Sequence, residues 1–103
     1  MQRRALERIP ANISARFYCD KSDYSGRVTN LSAKGMYICT DHICFPLDSE
    51  FELILNIEAA ILSVPVKIRR ITRRADRYDG IGVELLNSPQ KYLDFIGSLR
   101  NNQ

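Results

Sequence analysis

Phe51-Glu52-Leu53-Ile54-Leu55-Asn56-Ile57 alternates without a break: Phe51, Leu53, Leu55 and Ile57 stand in one phase, Glu52, Ile54 and Asn56 in the other. A period of two sends successive side chains to opposite faces of an extended chain, so the stretch reads as a strand with one buried face. The same period recurs on both sides of it. Upstream, Ile13, Ala15, Phe17 and Cys19 alternate with Asn12, Ser14, Arg16 and Tyr18, behind a Pro10 that fixes an extended start. Downstream, Leu62, Val64, Val66 and Ile68 share one face of a strand predicted over 61–70. Pro65, on its other face, marks an edge or a bulge.

Shorter strands are expected over 24–29 and 36–40, and Ile81, Val83 and Leu85 complete the set. Asp20-Lys21-Ser22-Asp23 and Asp76-Arg77-Tyr78-Asp79-Gly80 read as turns. Asn30 to Gly35 reads as a loop, in which Gly35 supplies a backbone conformation that a side chain would resist. The last segment changes period. Ser88 suits a helix N-cap and Pro89 the first helical position, while Tyr92, Phe95, Ile96 and Leu99 fall on one helical face. A helix over about 88–101 would then cover one open side or mouth of the β structure. Six or so strands with short connections and one late helix make a single, mostly β domain. Barrel and sandwich fit this pattern equally well.

At 103 residues the chain has the length of one domain and can bury a modest core without staples. No apolar run is long enough to span a bilayer, and no apolar segment follows the basic start as a signal peptide requires, so a cytoplasmic protein is expected. Cys19, Cys39 and Cys44 are an odd set, expected as reduced structural thiols. His42 between two of them falls short of a zinc ligand set, so no metal is expected. One histidine and no nucleophile–base pair leave little to run a reaction, which argues against an enzyme.

The net charge of +3 does not by itself indicate nucleic acid, but arginine dominates the basic set and is clustered. Arg3, Arg4 and Arg8 lie at the start, and Arg69, Arg70, Arg73, Arg74 and Arg77 lie late. Arginine offers a planar fork that grips phosphate bidentately, stacks on purines and donates to guanine O6 and N7. Arg4-Ala5-Leu6-Glu7-Arg8 is an RxxxR element, and Asn30-Leu31-Ser32-Ala33-Lys34-Gly35 an [D/N]xSxxG element. Each alone is a common composition. Their order and separation, within a chain of this length and strand content, resemble the PilZ family of cyclic di-GMP receptors.

The resemblance extends over nearly the whole chain, including the Gly80-Ile81-Gly82-Val83-Glu84-Leu85 run, which looks like the family's closing strand. It implies a six-stranded antiparallel β-barrel with a C-terminal helix: residues 1–9 as a flexible ligand-binding arm, residues 10–103 as the barrel domain. By similarity to the family, Arg4 and Arg8 contact phosphate and guanine groups, Asn30 and Ser32 hydrogen-bond guanine, and Gly35 shapes the loop. Asn30 stands where many members carry aspartate. Arg3, just ahead of RxxxR, accompanies a self-stacked ligand pair in the family. The implied function is a non-enzymatic receptor, without cofactor, whose arm orders on binding cyclic di-GMP and alters the surface shown to a downstream protein. With no fused output domain in the chain, the signal is expected to leave through that contact. The competing reading is a small β-barrel that binds RNA or single-stranded DNA through the Arg69–Arg77 patch and Tyr78.

Overall fold

The computed structural model describes residues 8–19, 21–40, 46–57 and 60–101. Six strands are formed: β1 (Ile9–Cys19), β2 (Ser22–Leu31), β3 (Gly35–Cys39), β4 (Glu50–Ile57), β5 (Ala60–Arg74) and β6 (Arg77–Leu85). A helix, α1 (Gln90–Asn101), follows them. The strands close into an antiparallel barrel in the order β1-β2-β3-β6-β5-β4, with β4 returning to β1 through Ala15–Leu55, Arg16–Ile54 and Phe17–Leu53. Closure leaves no long unpaired edge, and it settles the choice between barrel and sandwich.

The interior is built from the alternating residues. Val28, Leu31, Met36, Ile38, Leu53, Leu55, Val64, Val66 and Ile68 are fully buried. Phe17 adds an aromatic cluster, with its ring centroid 5.9 Å from Tyr24 and 5.6 Å from Phe51. Side chains thus fill the barrel, as expected at this strand number. Tyr92 and Ile96 join the same core from α1, with Phe95 and Leu99 half-buried beside them, as the helical period predicts. The start of β1, the β2–β3 turn, the β4–β5 turn and the end of β6 all lie at one end of the barrel. That end is the one α1 covers.

Several boundaries differ from expectation. Asn30 and Leu31 belong to β2 and Gly35 to β3, because buried Leu31 keeps register with Ile9 on one side and Met36 on the other. The reversal between β5 and β6 needs only Ala75 and Asp76, with Arg77 to Gly80 already in β6. Ala75 takes a positive φ of 55°, so a non-glycine residue does what glycine usually does in so short a hairpin. Pro65 causes no break in the β4–β5 register, where it pairs with Glu52. Its carbonyl accepts from Leu86 N–H at 2.9 Å, just beyond the last β6 pair, Val66–Leu85. Since N and O of one strand residue point the same way, the missing donor faces the end of β6, not an interior ladder. Ser88 does not cap α1. Its hydroxyl donates to the Ala33 carbonyl at 3.0 Å, and the Pro89 carbonyl instead accepts the first helical bonds from Tyr92 and Leu93.

Candidate functional site

The Asn30–Gly35 segment is a tight crossing from β2 to β3, tied down from several sides. Ser32 N–H donates to the Gly35 carbonyl at 2.8 Å, and Lys34 N–H reaches the Ser32 hydroxyl at 3.3 Å. Leu85 N–H donates to the Lys34 carbonyl at 2.9 Å. From the helix side, the Tyr92 hydroxyl donates to the Ser32 carbonyl at 2.7 Å, beside the Ser88–Ala33 bond. Ser32 is 4% exposed, so this polar turn is held in place by satisfied hydrogen bonds. Tyr92 titrates well above the ordinary phenol value, because burial penalises its anion; the nearby Arg8 guanidinium opposes that shift without overcoming it.

Asn30 reaches the outer surface through a bulge. Val28 pairs with Ile38 and Asn30 with Tyr37, leaving Thr29 as the extra residue. Two successive side chains, Thr29 and Asn30, therefore escape the interior between buried Val28 and Leu31. There the Arg8 guanidinium donates to Asn30 Oδ1 at 3.1 Å. Residues from the two sequence motifs thus meet directly.

Gly35 is placed beside them for a reason other than the expected one. It has no positive φ; instead, a Cβ built on it would stand 2.7 Å from the Val83 carbonyl oxygen and 4.0 Å from Arg8 Nη2. Close backbone approach, not unusual backbone conformation, requires glycine here. Of the predicted site residues, Arg8, Asn30, Ser32 and Gly35 are gathered at one barrel end. Arg3 and Arg4 lie outside the described residues, as do His42 and Cys44.

A cavity of about 470 Å³ opens at this place, within the usual size range of small-molecule sites. Arg8, Ser32, Lys34 and Gly35 line one side; Arg69, Arg70, Gly82, Val83 and Glu84 line the other. Four cations and one carboxylate face it, a balance suited to an anion. In the sequence Arg69 and Arg70 belong to one basic patch with Arg73, Arg74 and Arg77, and the fold divides that patch. Ile68 pairs with Val83 and Arg70 with Gly82, so Arg69 is the extra residue of a bulge in β5. Strict alternation from buried Ile68 would send Arg70 inward, whereas both arginines are exposed. Arg70 lies against Gly82: its Cβ and Nε are 3.6 and 3.9 Å from where a Gly82 Cβ would stand, ordinary contact distances. Further along β5, the Arg73 guanidinium lies 5.2 Å from the Tyr78 ring centroid, so a cation already covers one face of that aromatic.

A second hollow of about 280 Å³ lies between α1 and the β4–β5 turn, lined by Ile57, Ala60, Ile61, Leu62, Lys91, Asp94, Phe95 and Ser98. It contains none of the motif residues. Among the described residues, no group of His, Cys, Asp and Glu could hold a metal ion. No helix among them is long and apolar enough to cross a membrane.

The barrel has clear structural counterparts. The PilZ domain of YcgR from Escherichia coli, solved with c-di-GMP, aligns with a TM-score of 0.78 at 18% identity, over 93% of this chain and 90% of that one. The Bacillus subtilis inhibitor of motility, MotI/DgrA, aligns with a TM-score of 0.78 at 18% identity, over 100% of this chain and 54% of its own. Another E. coli YcgR structure, in complex with c-di-GMP, gives 0.75 at 18% identity, over 93% of this chain and 45% of that one. This chain thus spans about half the length of the latter two. At such identities the likeness concerns the fold. No curated protein sequence matches the chain. The PilZ domain family model matches residues 2–99, and the chain belongs to the PilZ domain family.

Proposed function

We propose that this protein is a cyclic di-GMP receptor that acts by binding, without catalysis. The observation that carries the reading is the Arg8–Asn30 contact, whose arginine lines a cationic cavity together with Ser32 and Gly35. Two motifs distant in sequence supply complementary chemistry there. The arginine forks suit phosphate and guanine O6 and N7, while the amide of Asn30 both donates and accepts. Ser32 receives Lys34 N–H, so its own hydroxyl proton is left to reach an acceptor in the cavity. Family membership and the c-di-GMP bound by the YcgR domain support the same ligand class.

Arg3 and Arg4 complete the arm in this reading. Arg4 contacts the ligand beside Arg8, and Arg3 supports a second, stacked ligand molecule. The arm expected over 1–9 is shorter in this fold, because Ile9 is buried in β1. Binding orders the residues ahead of β1 against the barrel, and a downstream protein reads the changed surface. Several charge-assisted contacts offset the entropy lost by the arm. The nucleic-acid reading is less well supported: Arg69 and Arg70 belong to the cavity, and Arg73 covers the Tyr78 face that a base would need.

Titration calorimetry tests the reading. Saturable binding of cyclic di-GMP at physiological salt, with cyclic di-AMP and GTP much weaker, is the expected result. Equal affinity for the adenine dinucleotide would remove the guanine argument. Binding of generic oligonucleotides that collapses with salt would favour the alternative.

A further inference from the structure

Within the cyclic di-GMP reading, on which this inference rests, we propose that Arg69 is a ligand-contacting residue held in reserve by Glu84. Binding then exchanges the Glu84 carboxylate for a ligand phosphate. The β5 bulge is the first observation. It places Arg69 and Arg70 on the outer face together, across the cavity from Arg8 and Gly35. Bulges re-aim side chains in this way beside functional sites.

The second observation is what Arg69 holds without ligand. Its Nη1 lies 3.7 Å from Glu84 Oε1 and 3.9 Å from Asp48 Oδ1. The two carboxylates are not equivalent. Glu84 lines the cavity and is the one carboxylate that does so among the described residues; Asp48 does not line it. Asp48 is anchored on the far side, where its N–H donates to the Ile68 carbonyl at 2.8 Å. An anion entering the cavity therefore meets a guanidinium already paired and a like charge beside it.

The exchange is energetically close. The Arg69–Glu84 pair is 57% and 52% exposed on its two sides, and such pairs are weak and readily broken. A phosphodiester carries the same charge as the carboxylate it replaces and fits the same fork. Glu84 then sets affinity, lowering it below what the arginines alone would give, while Asp48 keeps Arg69 near the site.

Calorimetric titration of the whole chain with cyclic di-GMP tests this. Arg69→Ala should weaken binding about tenfold, the loss expected for one charged hydrogen-bonded contact. Arg69→Lys should recover only part of it, since the fork is lost. Glu84→Gln should tighten binding about three- to tenfold, by removing a competing partner and a like charge. Glu50→Gln makes the same charge change at a carboxylate paired with Lys67 outside the cavity, and should stay within about twofold of the unmodified protein.

The gain from Glu84→Gln should shrink in an Arg69→Ala background, because no guanidinium remains to be released. An equal gain in both backgrounds would mean that Glu84 acts only as a charge, and would overturn the exchange. So would a Glu84→Gln protein that binds no tighter than the unmodified one. If Arg8→Ala weakens binding about tenfold or more while the Arg69 and Glu84 variants keep the original affinity, this inference fails and the receptor reading stands. If the unmodified protein does not bind, or Arg8→Ala binds equally well, the receptor reading fails and takes the inference with it.

Discussion

The Tyr92 hydroxyl donates to the Ser32 carbonyl at 2.7 Å, joining the single helix of the described residues to the turn that carries the second motif. Neither group is ligand-binding chemistry in itself. The bond fixes the height of the turn against the barrel end, and hence where the Ser32 hydroxyl and Gly35 present themselves.

Tyr92→Phe should therefore leave a buried carbonyl without its partner and cost about 1–3 kcal/mol of stability in denaturant unfolding. Ligand affinity should fall as well, although residue 92 does not line the cavity. A variant as stable as the unmodified protein would show that another donor reaches Ser32.

The same phenol makes a pH prediction. Its folded pKa is raised above the unfolded value of about 10, so the unfolded chain gives up this proton first. The stability it contributes is complete below pH of about 10 and falls as pH rises beyond it. Urea melts at pH 8, 10 and 11 should show the decline, and Tyr92→Phe should decline less over the same range.

Arg8→Ala should bind cyclic di-GMP about ten- to a hundredfold more weakly, since it removes charge-assisted contacts. Its melting temperature should stay near that of the unmodified protein, because Arg8 is exposed and contributes nothing to the core. Arg4→Ala should behave alike, and Asn30→Ala and Ser32→Ala should lose less. With Arg3 supporting a stacked ligand pair, calorimetry should give two ligands per chain, and Arg3→Leu should move the ratio toward one. A ratio of one in both proteins would reject the pair alone.

Gly35→Ala should damage fold and site together. A Cβ 2.7 Å from the Val83 carbonyl forces the β3–β6 ladder apart at the cavity wall, at a cost of about 1–3 kcal/mol. Unchanged stability and affinity would mean that the two strands separate there without penalty.

Ala75→Gly should have the opposite sign. At φ 55° an L side chain is disfavoured by about 1–2 kcal/mol, and glycine gives back part of that as unfolded-chain entropy. A net gain of about 0.5–1 kcal/mol, with ligand affinity unchanged, is expected from paired melts and titrations.

Much of the fold was legible in the sequence because one period dominates it. The Phe51–Ile57 and Ile13–Phe17 alternations named their buried faces, and the helical phase of Tyr92 and Ile96 named theirs. The bulges at Thr29 and Arg69 were not legible. Each is one inserted residue, Thr29 or Arg69, with no composition of its own, and each inverts the phase of the residues after it. In the sequence Arg70 stands in phase with buried Ile68, so alternation sends it inward, and the bulge alone turns it out across the cavity from Arg8. The role of Ser88 was hidden for a related reason: a hydroxyl before a proline suits a cap, but Ala33 is brought within its reach only by the closed barrel.

The barrel keeps its interior full and its cavity outside, and this divides the chain's tolerance to change into two nearly separate sets of positions. Val28, Leu53 and Val66 are buried in the core, whereas Arg8, Lys34 and Arg69 are exposed, line the cavity and add nothing to the core. In a library of single substitutions sorted separately for folding and for ligand capture, the two screens should deplete different residues, overlapping chiefly at Gly35 and Ser32. Ligand preference can therefore drift across a lineage without the barrel having to be rebuilt.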